Sequence, residues 1–88
     1  MSNGKWPVNV RVEVEWVDSC TRGNWDSLER HRKESRPSRC RSIGYLIESS
    51  DRCITVAQSM STDSQNISDT MSIPRKAITR VRRIQGLK

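Results

Sequence analysis

A mainly β protein is predicted, a small five-stranded barrel with a short helical insertion after strand 1. Valine alternates strictly from Val8 to Val14, a β-branched pair of runs flanks the turn residues Ser49, Ser50, Asp51 and Arg52, and a stop at Ile73 and Pro74 precedes a last β-branched run. With 88 residues the chain makes one domain, 1–88, near the lower limit for independent folding. Hydrophobic residues are 33% of it, charged ones 30%, and Phe is absent, so the core is thin and self-association is expected.

The first strand is read from Val8, Val10, Val12 and Val14, with Asn9, Arg11 and Glu13 on the opposite face. Trp16 continues the valine face and closes one end of the core. Asp18 and Ser19 begin a polar turn followed by Gly23. Asp26 and Glu29 have the spacing of a helix start, so Trp25 to Glu34 is read as a short helix ended before Pro37.

Arg41 to Glu48 is the second strand, where Gly44 suggests a bend or bulge, and Cys53 to Ser59 is the third, completing a hairpin. Ser59 to Thr70 is so polar that it reads as a flexible loop, at about 59–70, or a loosely held hairpin end. Met71 to Ile73 is a short strand stopped by Pro74. In the last segment Ala77, Ile78, Val81, Ile84 and Leu87 have helical spacing, a basic amphipathic pattern. Because so many of these residues are β-branched, a single turn at Pro74 to Ala77 leading into a closing strand is preferred.

This succession resembles the small barrels of the SH3-like and Sm-like kind. The chain is also similar to a family of short proteins encoded by bacteriophages and prophages. Residues carrying that likeness are Trp16, Asp18 and Ser19, then Trp25, then Ser42, Ile43, Gly44, Tyr45 and Leu46, then Ile54, Thr55, Val56 and Ala57, and finally Ile73, Pro74, Ala77 and Ile78. The resemblance implies a viral origin and a place in the host cytoplasm, and no mechanism.

Catalytic chemistry finds little to work with. Cys20 with His31 is the one nucleophile and base pairing that starts plausibly, but His31 lies in the charge run Arg30, Arg32, Lys33, and Ser19 has no elbow motif around it. Zinc would have to use Cys20, His31, Cys40 and Cys53, none of them paired at the usual spacing, so no metal is expected. The four glycines are scattered, which excludes a glycine-rich phosphate loop, and no cofactor is implied. Three widely spaced cysteines do not make a disulfide framework, Met1 to Pro7 lacks the apolar run of a secretory signal, and no stretch approaches a membrane span. A soluble protein in a reducing compartment is expected, with no membrane partner.

A net charge of +6 favours an anionic partner. Arg30, Arg32, Lys33, Arg36, Arg39 and Arg41 form one basic cluster, and Arg75, Lys76, Arg80, Arg82 and Arg83 another. Around the first turn stand Trp16, Asp18, Ser19 and Trp25. Aromatic faces stack on bases, Asp and Ser bond base edges or sugar hydroxyls, and arginine holds phosphate in a fork, so Trp16, Asp18, Ser19, Trp25, Arg39, Arg41, Arg80 and Arg82 are the candidate ligand-binding residues. The alternative for the same residues is structural: two tryptophans packed together, a capped turn and a solubilising coat of arginine. The expected function is non-enzymatic: a homo-oligomeric module that sequesters an anionic nucleotide, as a sponge for a host immune signal. Two alternatives remain open, an Sm-like binder of RNA or single-stranded DNA and a protein-interaction inhibitor of a host defence complex.

Overall fold

In the computed structural model, residues 10–21 and 23–84 are described. They form a five-stranded antiparallel sheet, β1 (Arg11–Asp18), β2 (Ser38–Ser49), β3 (Cys53–Met60), β4 (Ile67–Pro74) and β5 (Ile78–Ile84), in the order β4-β3-β2-β1-β5. A short helix, α1 (Leu28–Lys33), follows β1, and a single 3-10 turn at Arg75–Ala77 links β4 to β5. Strand count, mainly β class and helical insertion match the sequence expectation. Closure does not: β4 and β5 are the edges, and they do not pair with each other among the described residues.

Alternation on β1 sets the two faces. Val10, Val12 and Val14 are buried and pack with Leu46 of β2, Ile54 and Val56 of β3 and Ile73 of β4, with Trp16 and Ile78 against the cluster. Val8 lies outside the described residues, and β1 runs on to Asp18, beyond the expected end. Registration follows from this face: Val12 is opposite Gly44, and Val14 lies between Ser42 of β2 and Val81 of β5.

Gly44 is required by a close approach and not by a bulge. A Cβ there would stand 2.6 Å from the Ala57 carbonyl oxygen and 3.2 Å from Val56 Cβ. The bulge comes later, between Leu46 and Glu48, and a second one separates Glu15 from Trp16 in the pairing with β5. Bulges and a bare backbone at Gly44 let the sheet coil. Curvature brings Met71 Sδ of β4 to 3.7 Å from Ser42 Oγ of β2, although β3 lies between those strands.

Further boundaries differ from the sequence reading, and β2 begins at Ser38, ahead of the expected Arg41. Helix α1 starts later than expected because Ser27, not Asp26, is the N-cap, its hydroxyl accepting from Arg30 N at 3.1 Å while Asp26 accepts from Ser27 N. The supposed loop at 59–70 is mostly hairpin: β3 reaches Met60, β4 begins at Ile67, and the Ser61 hydroxyl and the Ser61–Asn66 backbone bonds close the short turn between them. Of the two sequence readings the hairpin end is the one that holds, since an exposed hairpin end needs ladder hydrogen bonds and not apolar side chains. Met71 to Ile73 is the end of β4 and not a strand of its own. The last segment is turn plus strand, as preferred, and Leu87 lies outside the described residues.

The 3-10 turn is fastened to the β2–β3 turn. Arg75 N donates to Arg52 O, its Nε donates to Ser50 O at 2.7 Å, and its Nη2 donates to Ser49 Oγ at 2.8 Å. This clamp directs the chain from one edge of the sheet to the other. Arg75 is thus a structural arginine within a cluster that composition alone marks only as basic.

Candidate functional site

Central strand β1 is flanked by β2 and β5, so Arg39 and Arg41 of one basic cluster and Arg80 and Arg82 of the other meet on the face opposite the valines. Glu15 lies opposite Arg41 on one side and Arg80 on the other, and Glu13 lies between Ile43 and Arg82. Side chains alternate along a strand, which puts Arg39 and Arg41 of β2 and Arg80 and Arg82 of β5 on the same face. Strand pairing converts two distant runs in sequence into one cationic surface.

Glu13 organises that surface. Only 5% exposed, it accepts from Arg82 Nε at 3.1 Å and Nη2 at 2.9 Å on Oε1, while Arg41 Nε stands 3.4 Å from Oε2. Both arginines keep much of their surface in solvent. Their aliphatic stems shield a carboxylate on the outer face, and the charge is compensated where it is buried. Periodicity put Glu13 on the polar face and gave no sign of this role; only the cross-strand register reveals it.

Beside this ion-paired cluster, Trp16, Arg39 and Arg41 line one depression together with Glu15, Val17, Cys40 and Thr79. Of the candidates, Arg39 and Arg41 share the outer face with this hollow and Arg80 adjoins through its pairing with Glu15, whereas Trp16, opposite Cys40, turns its indole to the valine face and against the core. Trp16 is half-buried and fixed by donation from its Nε1 to Ser42 Oγ at 3.0 Å. Thr79, at the β1–β5 irregularity, donates from Oγ1 to Glu15 O at 3.1 Å. The depression, about 670 Å³, is of the size that accepts a small ligand.

The remaining candidates are elsewhere. Asp18 and Ser19 are exposed, and Asp18 Oδ1 accepts from Ser19 N at 2.8 Å, the turn-capping alternative. Trp25 is 101% exposed, so it neither packs on Trp16 nor forms a wall of the Trp16 depression. Arg82 is engaged by Glu13, which makes it a support of the surface.

Two further depressions continue from the first. One shares Arg39 with it and is also lined by Cys20, Arg36, Pro37 and Ser38. The other shares Cys20, Arg36 and Pro37 and adds Ser19, His31, Glu34 and Ser35. Cys20 and His31 thus border the same hollow, with no hydrogen bond joining them. All three cysteines are free. Among the described residues no three His, Cys, Asp or Glu side chains gather as a metal-binding group, and no helix is long and apolar enough to cross a membrane.

Comparison with protein-family models, with curated proteins and with solved structures finds no match. The chemistry of the surface therefore rests on its own residues: guanidinium groups able to pair with an anion, and backbone and threonine groups at the depression's rim.

Proposed function

We propose that this protein is a non-enzymatic binding module that captures an anionic, base-containing ligand of nucleotide type in the depression at Trp16, Arg39 and Arg41, with Arg80 at its border. The observation that carries this reading is the meeting of Arg39 and Arg41 of β2 with Arg80 of β5 on one face of the sheet, across β1, beside a hollow that Arg39 and Arg41 line. Arginine supplies paired donors to phosphate. In its most specific form the reading is a phage-encoded sponge that acts in the host cytoplasm and sequesters a nucleotide immune signal, in keeping with the viral resemblance of the sequence.

The proposal extends to shape and assembly. A small barrel of SH3-like or Sm-like kind is favoured by the strand order, by the Ser42–Met71 approach across the inner face and by the Arg75 clamp. Homo-oligomerisation is favoured by two unpaired edges carrying exposed Ile67, Met71 and Val81. Unpaired edges invite pairing with another chain.

Native mass spectrometry of protein purified gently from cells that produce it tests both parts. The expected result is a defined multimer that retains a nucleotide, and a bare monomer that fails to take up added nucleotides overturns the reading. A protein that binds a defence complex and no nucleotide would establish the protein-blocking alternative instead.

A further inference from the structure

Arg36 was not among the residues that sequence reasoning placed in the site, yet it stands where the second and third depressions join, and Arg39 stands where the second joins the first. The hollows therefore share walls in series, from the end of α1, past Arg36 and Pro37, along the start of β2 to Arg41 and Trp16. From Arg36 to Arg41 the chain advances roughly 17 Å if extended, at about 3.3 Å per residue.

We propose that this trough is a track for a short run of phosphodiester-linked nucleotides, so that the ligand is an oligonucleotide and not a mononucleotide. The inference rests on the nucleotide reading of the Trp16 depression and deepens it. Among the described residues neither Arg36 nor Arg39 enters an ion pair, and Arg41 gives Glu13 its Nε, so each has guanidinium N–H groups available to a ligand. One phosphate cannot engage cations spread over that length. A nucleic-acid strand carries one charge per about 3.4 Å of duplex axis, and the spacing of Arg36, Arg39 and Arg41 suits several successive phosphates.

The acidic neighbours limit where the strand runs. Glu34 borders the α1 end and Glu15 the Trp16 end, so the cationic stretch between them is the part that faces phosphate. Ser38 lies within that stretch and offers a hydroxyl and backbone groups to sugar or base. A strand of a longer nucleic acid and a free short oligonucleotide share this chemistry.

The experiment titrates the full-length protein with oligothymidylates of one, two, four, eight and thirty nucleotides by fluorescence anisotropy or calorimetry. Affinity is expected to rise at least on the order of tenfold from one nucleotide to four, since each added phosphate reaches a further arginine of the trough. Arg36→Ala is expected to erase much of that gain, leave mononucleotide binding unchanged and lower the log–log salt slope of the tetramer by about 0.7. A thirty-nucleotide strand that binds several protein copies at the tetramer's affinity points to nucleic acid as the source. A tetramer that binds better than the same sequence embedded in the long strand points to a free oligonucleotide. Equal affinity for mononucleotide and octamer overturns the track and leaves the nucleotide site standing. Binding of neither overturns both.

Discussion

The Glu13 carboxylate and the Arg82 guanidinium pair directly across β1 and β5, two nitrogens of the arginine reaching one oxygen at 3.1 and 2.9 Å. Arg41 approaches the other oxygen from β2, so one buried acid ties together the three strands that carry the basic face. Glu13→Gln is expected to lower unfolding free energy by about 1–2 kcal/mol, less than a fully buried pair would lose because both arginines are solvent-exposed. In a urea-unfolding cycle with Arg82→Ala the two losses should be non-additive, with a coupling of about 0.5–2 kcal/mol. Additive losses would mean that the pair contributes nothing.

Arg80 and Arg82 separate by the same geometry. Arg82→Ala removes a partner from a buried carboxylate and is expected to reduce both stability and ligand retention, whereas Arg80→Ala, which breaks no ion pair among the described residues, should reduce retention alone. Thermal unfolding and nucleotide binding measured on both variants check this, and equal loss of stability in the two would contradict it.

Core and surface aromatic positions should diverge in the same way. Val14 is fully buried and Ile73 is 1% exposed, so Val14→Ala should cost about 2 kcal/mol and Ile73→Ala about 2–4 kcal/mol in denaturant unfolding. Trp25→Ala should fall within about 0.5 kcal/mol of the parent because its side chain has no packing to lose. A large loss at Trp25 would contradict its placement.

Gly44→Ala is expected to destabilise by about 1–3 kcal/mol, since the added methyl meets the backbone carbonyl of Ala57, which cannot rotate away as a side chain would. Urea midpoints read the effect. An unchanged midpoint would show that β3 does not approach Gly44 so closely.

Period-two valines in β1, the Cys53–Ser59 run and the β-branched tail made the strands legible because each pattern is local. The Ser61–Asn66 turn was not, since its serines and asparagines mark a tight hairpin end and a long loop with the same composition. Trp25 did not join Trp16, because nearness in sequence to the same turn says nothing of which direction a side chain takes. Glu13 was invisible for a related reason: its burial comes from arginines 28 and 69 residues away, and only strand register brings them over it.

Binding without reaction is tested most directly by the fate of the ligand. Nucleotides and short oligonucleotides are incubated with the protein, the free fraction is measured, and the protein is then heat-denatured and the released material analysed by mass spectrometry. The expected result is depletion from solution, recovery of the chemically unchanged ligand, and loss of depletion in Arg39→Ala and Arg80→Ala variants that remain folded. Recovery of a cleaved product, with cleavage abolished by Cys20→Ala or His31→Ala, would contradict the account, as would failure of every nucleotide to be retained.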